Sequence, residues 1–533
     1  MQRVVVLNVV GLTPRLLRHA PTLRRWAESR GVVTPLRPVF PAVTCSVQAS
    51  MLTGLEPGVR AATPGPGGGL EQAGTAVGAG AFHGVVGNGW YHRDQAEVRF
   101  WQRSDRLVRG DKLWDTARRR DASGRFTCAN LFWWHNTYSS CDVALQARPI
   151  YCADGRKVPD VYCNLPELRE ALQRPRRRGG LGRFPLFNFW GPVAGLASSR
   201  WIASAARRVE REMSPTLQLV YLPHLDYDLQ RFGPEGPEAI HAVAAMDGLV
   251  SELVDDFESR GVRPLVVSEY GIEQTTPGGG AVMVNRTLRE RGLLAVRNEL
   301  GRELLDPGAS EAFAVTDHQV AHVYLRPGSR RGDEVRACCE GLDGVARVDA
   351  GRTPRAGDLV LEAGPGRWFA YDYWPADRPG RAPDFARTVD IHRKPGYDPR
   401  ELLLDPAMRW PRAAVAWRLM AKRLGFRRLM DVVPLDPSGV SGTHGRADLP
   451  TDQGPLLLGF DGSPVAFKKV ETGEADKSGG SGGNKIDRGL PCTAVKEVVL
   501  EAMGLPDPDA QAAGGEGGLL PADRGQRRRG DPA

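Results

Sequence analysis

Short apolar runs alternate with helical patterns along the first half of the chain. Residues 4–10 read Val-Val-Val-Leu-Asn-Val-Val, and residues 216–222 and 264–267 are also mostly apolar, which is typical of strands buried on both faces of a sheet. Helical patterns lie at residues 15–30, 44–53 and 237–260. Because strands alternate with helices, the sequence predicts an α/β fold.

Polar side chains stand at the ends of these predicted strands. Asn8 lies near the end of the first strand, His224 and Asp226 follow the second, and Glu269 follows the third. In open α/β sheets, active sites form at the carboxyl ends of the strands. The four side chains are therefore expected to lie near one site.

The helical pattern after Pro41 is the most informative one. Thr44 or Ser46 is a natural N-cap for it, and Gly54 is a natural end. A hydroxyl at a helix N-terminus faces unpaired backbone N–H groups, which favour an anionic, phosphate-like group. Thr44 is thus either a simple helix cap or part of an anion site.

Composition indicates a globular protein. The 533 residues are enough for one large domain or two to three smaller ones. No run approaches ~18 apolar residues, so we expect no transmembrane helix and no membrane partner. The first apolar run reads better as a strand than as a signal peptide. The eight cysteines are scattered without a CxxC pair, which favours reduced thiols and a cytoplasmic protein.

The net charge of +8 comes from abundant arginine. Arginine clusters occur at residues 118–120, 176–178 and 527–529. No aromatic residues alternate with them as in a nucleic-acid-binding module, so we interpret them as solvated surface and do not expect nucleic acid as a partner. A positive surface also attracts small anionic substrates.

Glycine-rich segments predict the domain organisation. Residues 59–81 are expected to form a flexible insert, and residues 471–533 a largely disordered tail with one short helix at about 494–503. One domain is therefore predicted over residues 1–470, with a small cap at about 330–380. The sequence leaves the oligomeric state open.

The segment around Thr44 carries a family resemblance. Residues 40–57 read Phe-Pro-Ala-Val-Thr-Cys-Ser-Val-Gln-Ala-Ser-Met-Leu-Thr-Gly-Leu-Glu-Pro, and the motif resumes with His83-Gly84 and Asn88. This pattern resembles the nucleophile segment of the nucleotide pyrophosphatase/phosphodiesterase branch of the alkaline phosphatase superfamily. The resemblance implies an α/β/α sandwich with a large mixed, mainly parallel sheet. It also implies that Thr44 attacks phosphorus and that Asn88 holds a phosphoryl oxygen. Cys45, beside Thr44, is the less favoured alternative nucleophile, because the sequence indicates no histidine partner for it.

The same resemblance implies one or two divalent ions, zinc or manganese, bound by Asp, Glu and His side chains. The ligand positions that are kept or conservatively changed are Asp226, Glu269 and His444. The positions that depart from the family are Val10, Gln230 and Tyr270, which stand where the family has Asp, His and His.

Two hypotheses follow from this mixed ligand set. In the first, Asn8 or other substitutes complete a metal site, and the chain hydrolyses a phosphodiester or pyrophosphate bond in a small, nucleotide-like substrate. The other candidate substitutes are His224, Asp317, His318 and His392. In the second hypothesis, the chain is a catalytically weakened relative that binds a phosphorylated metabolite or serves in assembly. The first hypothesis is the one we predict.

Overall fold

The computed structural model describes residues 1–31, 33–60, 82–153, 156–459 and 489–507. Nearly all of the insert predicted at 59–81 and most of the predicted tail lie outside these ranges, so both stay predictions. Within the described ranges, no helix is long and apolar enough to cross a membrane.

A nine-stranded sheet forms the centre of the molecule. In spatial order its strands are Leu490–Pro491, Thr34–Arg37, Leu456–Leu458, Arg263–Val267, Val4–Val9, Leu217–Leu222, Cys128–Leu131, Val143–Ala147 and Val161–Cys163. Five neighbouring pairs are parallel and three are antiparallel. The predicted mixed, mainly parallel sheet is therefore confirmed. Every residue of Val4–Val9 is buried, as expected for a central strand covered on both faces.

Two groups of helices cover the sheet. The first group comprises Pro14–Leu17, Pro21–Ser29, Leu196–Met213, His224–Phe232 and Pro237–Ser259. The second comprises Thr44–Thr53, Leu113–Arg120 and Val495–Ala502. Aliphatic side chains from both groups and from the sheet form one large core. This arrangement confirms the predicted α/β/α sandwich.

A second, smaller sheet has its own core. Its four antiparallel strands are, in spatial order, Ala312–Asp317, Val320–Leu325, Leu359–Ala363 and Val345–Ala350. The helices Val284–Glu290 and Gly332–Glu340 pack on it. The first two strands form a hairpin, and His318 lies in its turn.

Shorter elements complete the described chain. The further helices are Pro166–Gln173, Leu186–Phe189 and Pro411–Arg423, and two-stranded pairs are formed by Gly89–His92 with Glu97–Phe100, Ile150–Tyr151 with Lys157–Val158, Glu273–Gln274 with Gly442–Thr443, Ala281–Val282 with Trp368–Phe369, and Val296–Glu299 with Arg302–Leu305.

Residues 489–507 correct the predicted domain boundary. Leu490–Pro491 pairs with Thr34–Arg37 at the sheet edge, and the helix Val495–Ala502 packs against the helix that begins at Thr44. Lys496 donates from its ammonium group to the carbonyl of Thr53 over 3.2 Å. This part of the predicted tail therefore belongs to the sandwich, because its apolar face is buried in the main core.

Candidate active site

Thr44 is the first residue of the helix Thr44–Thr53 and does not cap it. The N-cap is Val43, whose backbone is extended, and no side chain caps this helix. The expectation that Thr44 or Ser46 is the cap is therefore wrong. The hydroxyl of Thr44 instead lies 3.0 Å from the hydroxyl of Tyr270. The Thr44 oxygen thus faces other elements of the fold, not its own helix.

Asn88 is fixed beside this helix. Its Oδ1 accepts a hydrogen bond of 3.0 Å from the backbone N–H of Cys45, the residue after Thr44. The backbone N–H and the side-chain amide of Asn88 donate to the two oxygens of Asp317 at 2.6 and 3.0 Å. Asp317, expected as a substitute metal ligand, therefore uses both oxygens to orient Asn88.

A chain of hydrogen bonds leads from Thr44 into the protein. The Tyr270 hydroxyl donates to Oδ1 of Asp226 over 3.2 Å, which leaves its oxygen to accept from Thr44. Oδ2 of Asp226 accepts from the Gln230 amide at 2.8 Å, and Tyr397 donates to the Gln230 carbonyl oxygen at 2.9 Å. Burial raises the pKa of Asp226 to about 7. The hydrogen bonds of Thr44 and Tyr270 therefore lead to a carboxyl group whose pKa lies near neutral pH.

His444 and His318 belong to a stack of rings behind this chain. The Tyr270 and His444 rings are parallel within 7° at 3.7 Å between centroids, and His318 lies 3.6 Å from His444. Nδ1 of His444 is 2.8 Å from the carbonyl oxygen of Ala42. Because a carbonyl oxygen can only accept, Nδ1 carries the proton and donates it. The unprotonated Nε2 faces Asp226 at 3.9 Å. Burial lowers the pKa of His444 to about 3, which keeps its imidazole neutral.

Glu269 lies on the other side of Thr44. Its Oε1 accepts hydrogen bonds from Asn8, at 2.6 Å, and from the side chain of Gln48. Its Oε2 and the Oδ1 of Asn8 are buried without a hydrogen-bond partner. Burial raises the pKa of Glu269 to about 8, although the hydrogen bonds from Gln48 and Asn8 lower it. Glu269 is therefore mostly protonated at neutral pH.

Cys45 is a poor nucleophile in this setting. It is buried, and burial raises the pKa of its thiol well above the ordinary value. The nearby carboxyl groups of Asp317 and Glu269 raise that pKa further. Because the thiolate is the reactive form, Cys45 is inert at neutral pH.

The structure leaves two of the predicted substitute ligands outside the cluster. His224 begins the helix His224–Phe232, and its Nε2 lies 3.8 Å from Asp228. Residues two apart on a helix point in different directions, so His224 does not share the position of Asp226. The His392 ring lies 6.2 Å from the Tyr151 ring. We therefore find Thr44, Asn88, Asp226, Glu269, His318 and His444 together, and His224 and His392 apart.

The donor set around Thr44 does not fit two divalent ions. Val10 offers no ligand atom, and both oxygens of Asp226 accept hydrogen bonds from Tyr270 and Gln230, the residues that stand in histidine positions. Nowhere in the described ranges do three or more His, Cys, Asp or Glu side chains form a group that could hold a metal ion. The expected zinc or manganese stays a prediction from the resemblance.

Thr44 opens onto a large, positively charged cavity. The cavity has a volume of about 1380 Å³ and is lined by Thr44, Asp226, Tyr270, His318 and His444 at the site. Nine lysine or arginine residues line it, against two aspartates. Aromatic side chains form much of the remaining wall. The cavity therefore suits an anion that carries an aromatic or apolar group.

Arg103 is a candidate functional residue that the sequence analysis missed. It lines the same cavity as Thr44, and its guanidinium carbon lies 5.5 Å above the ring of Trp134. Its Nε is buried without a hydrogen-bond partner, and none of the described carboxylates forms an ion pair with it. The one sequence signal for a buried position of Arg103 is its place next to an aromatic segment that includes Trp101. A guanidinium without a partner is well suited to bind a phosphoryl oxygen.

Comparisons with known proteins place the chain in a family. The family model of type I phosphodiesterase / nucleotide pyrophosphatase matches residues 4–60 and 81–398. No curated protein matches the sequence. Among solved structures, murine ectonucleotide pyrophosphatase / phosphodiesterase 5 is 14% identical, with a TM-score of 0.47 over 86% of this chain and 87% of that chain. Phosphonoacetate hydrolase from Sinorhizobium meliloti 1021, in complex with phosphonoformate, is 17% identical, with a TM-score of 0.48 over 86% and 90%.

The family match extends over well more than half of the chain and includes Thr44, Asn88, Asp226 and Glu269. It confirms the resemblance recognised from the sequence. The protein therefore belongs to the type I phosphodiesterase / nucleotide pyrophosphatase family.

Proposed function

We propose that the chain hydrolyses a phosphodiester or pyrophosphate bond in a small, nucleotide-like substrate, with Thr44 as the nucleophile. The family is named for hydrolysis of these two bond types. The observation that carries the proposal is the hydroxyl of Thr44, which lines the cavity and is hydrogen-bonded to Tyr270 and through it to Asp226.

The hydrogen-bond chain supports a route for the proton of Thr44. As the Thr44 oxygen forms its bond to phosphorus, its proton passes to the Tyr270 hydroxyl, and the Tyr270 proton passes to Asp226. The bond from phosphorus to the leaving oxygen breaks, and that oxygen takes a proton from water. A base with a pKa of about 7 is well matched to proton transfer near neutral pH. The oxygen of a second water molecule then bonds to phosphorus as the bond from phosphorus to the Thr44 oxygen breaks. Asp226 returns its proton through Tyr270 to Thr44, and the proton that the attacking water loses neutralises the hydroxide left by the first step.

Binding of the phosphoryl group falls to the polar groups around Thr44. The Asn88 amide is oriented by Asp317 beside the helix N-terminus, where a phosphoryl oxygen is favoured. Arg103 supplies a positive charge from the cavity wall. The aromatic side chains, including Trp134, suit a nucleobase or a similar ring by stacking.

The second candidate is a binding protein for a phosphorylated metabolite. It is favoured by the hydrogen bonds of Tyr270 and Gln230 to Asp226, because these neutral donors stand in the positions of two metal-ligating histidines. A protein of this kind would bind the same anions in the cavity without turning them over.

Turnover and binding of one set of variants distinguish the two candidates. Purified wild type, Thr44→Ala and Thr44→Ser are assayed on bis(4-nitrophenyl) phosphate and on a dinucleotide pyrophosphate, with EDTA and with added zinc or manganese. The hydrolase proposal expects a loss of roughly 10³-fold or more for Thr44→Ala and a milder loss for Thr44→Ser, which keeps the hydroxyl. Tight AMP binding by calorimetry, with no Thr44-dependent turnover under any condition, would establish the binding protein instead.

A further inference from the structure

The helix Pro411–Arg423 and the residues around it are strongly basic, and the cavity that contains Thr44 accounts for only part of this charge, since Lys422, Arg423, Arg427 and Arg428 line it. Between residues 407 and 430 the chain carries seven lysine or arginine residues and no acidic one. We call residues 409–430 the basic arm. The cations of the basic arm are Arg409, Arg412, Arg418, Lys422, Arg423, Arg427 and Arg428.

Large apolar side chains of the basic arm face solvent. Trp410, Trp417 and Leu424 are 69%, 56% and 70% exposed, and their spacing of seven residues places them on one face of the helix. Met420 extends this face, and Phe426 is 64% exposed just beyond the helix. Single exposed apolar residues are common, but a contiguous stripe with two tryptophans indicates a surface that is covered by a partner.

The opposite face of the helix borders the cavity. Val415, Leu419 and Lys422 line the cavity that contains Thr44. The tryptophan face therefore points away from the cavity. The tryptophan stripe has no partner within the described chain.

Most cations of the basic arm form no ion pair within the part of the chain that the structure describes. Arg418 pairs with Asp431 at 2.7 Å, whereas the other six cations of the basic arm form no ion pair with any described carboxylate. By helical periodicity, Arg409 lies beside the tryptophan face, whereas Arg412 and Arg423 lie further round the helix, toward the side that borders the cavity. A face of Trp, Leu and Met bordered by unpaired arginine is the pattern of a helix that lies in the interface of a lipid bilayer.

We propose that the basic arm docks the protein on an anionic membrane surface, with Trp410, Trp417 and Leu424 inserted among the headgroups. Charge complementarity selects this partner, because anionic lipid balances Arg409 and Arg412, the unpaired cations that do not line the cavity, while the interface accepts the tryptophan rings. The proposal departs from the sequence-based expectation of no membrane partner, which rested on the lack of a spanning segment. It does not depend on the proposed catalytic function.

Two double variants separate the charge from the apolar face. Arg409→Gln with Arg412→Gln removes two charges, and Trp410→Ser with Trp417→Ser removes the aromatic face. None of the four residues lines the cavity. The matched control is Arg177→Gln with Arg178→Gln, which removes two exposed charges from a cluster without a tryptophan stripe. Circular dichroism and thermal unfolding confirm that each variant is folded.

Binding is measured by co-sedimentation with phosphatidylcholine vesicles, with and without phosphatidylserine, at low and high salt. We expect wild type to bind only the phosphatidylserine vesicles, and less tightly at high salt. The arginine variant should bind the vesicles roughly 25-fold more weakly than wild type, at about fivefold for each charge removed. The tryptophan variant should bind them at least roughly tenfold more weakly than wild type. The control should bind within about twofold of wild type.

Three outcomes would overturn the proposal. The first is a wild type that does not bind phosphatidylserine vesicles even at low salt. The second is an arginine variant that loses no more affinity than the control. The third is a tryptophan variant that binds vesicles as tightly as wild type, together with displacement of the wild-type protein from vesicles by duplex DNA. This result would show that the basic arm binds polyanions through its charges alone.

Discussion

The protonation of Glu269 makes the stability of the protein depend on pH in an unusual direction. Its pKa is about 8 in the folded protein, because the side chain is buried, and 4.5 is the ordinary value for an exposed Glu. The folded state therefore binds this proton more tightly than the unfolded state. The stabilisation that this proton gives to the folded state is fully present below pH 4.5 and is lost as the pH rises from 4.5 to 8.

The magnitude follows from the difference between the two pKa values. One proton bound only in the folded state changes the free energy of unfolding by ~1.4 kcal/mol per pH unit. Between pH 5.5 and 7.5 the stability should therefore fall by about 2.5 kcal/mol through Glu269 alone. Asp226 and Asp317, whose pKa values are both about 7, add to this loss at the lower end of the range.

The test is Glu269→Gln, which keeps the shape of the side chain and an oxygen for Asn8 and Gln48 but carries no titrating proton. Urea unfolding is followed at pH 5.5, 6.5 and 7.5 in the presence of EDTA, and the free energy is obtained by linear extrapolation. We expect the stability of the variant to fall by about 2.5 kcal/mol less than that of wild type across this range. Glu167→Gln, at an exposed position, is the control and should follow wild type.

The reasoning is refuted by a Glu269→Gln variant whose pH profile coincides with that of wild type. It is also refuted if wild-type stability rises with pH over this range. A rise is what a bound cation would cause, because a cation beside the carboxylate lowers its pKa instead of raising it.

Three further variants address the rest of the site and its support. Arg103→Met should weaken binding of AMP by roughly 10- to 100-fold in calorimetry, and Arg103→Lys should weaken it by less. Equal AMP affinity in wild type and both variants would show that Arg103 does not bind the phosphate. Lys394 is buried, and its ammonium group lies 2.8 Å from Asp398 and 2.7 Å from Glu401. Lys394→Met should therefore lower the free energy of unfolding by ~3–5 kcal/mol, and a decrease of less than about 1 kcal/mol in urea unfolding would contradict this. Gln230→His should allow one zinc ion to bind, with Asp226 and His444 as the other protein ligands. If elemental analysis finds no zinc in this variant, the residue at position 230 does not decide whether the site binds metal.

The sequence predicts the fold well because its strongest patterns are local. The run at residues 4–10 has no polar face, so it was recognisable as a central strand, and Val4–Val9 is one. The positions of Asp226 and Glu269 follow from the same logic, since each comes soon after the carboxyl end of a strand of one sheet, Leu217–Leu222 and Arg263–Val267 respectively. Their proximity required no knowledge of side-chain packing.

The hydrogen bonds of the site were not predictable from these patterns. The sequence around Thr44 shows a hydroxyl at a helix start, but it does not show that Tyr270, 226 residues away, receives this hydroxyl instead of the helix's own N–H groups. The pairing of Leu490–Pro491 with Thr34–Arg37 is a similar long-range event. Arg103 is unpaired because no carboxylate among the described residues forms an ion pair with it, and no sequence pattern records this.

The three departures from the family ligand set are consistent with one another. Tyr270 and Gln230 are neutral donors, and both bond to Asp226, so its oxygens are satisfied without a cation. Val10 removes a third carboxylate from the same strand end. Because burial keeps Glu269 mostly protonated and Asp226 about half protonated at neutral pH, little negative charge is left to balance.

Arg103 is then the one permanent charge among these groups, and this decides which anion the site favours. A phosphodiester carries a single negative charge near neutral pH, which one guanidinium neutralises. A phosphate monoester carries close to two, and none of the groups named above adds a second cation beside Thr44, so its second charge is costly there. We therefore expect the site to select a diester over a monoester with the same leaving group. This selectivity agrees with a hydrolase whose neutral hydrogen-bond donors stand in the positions of metal-ligating histidines.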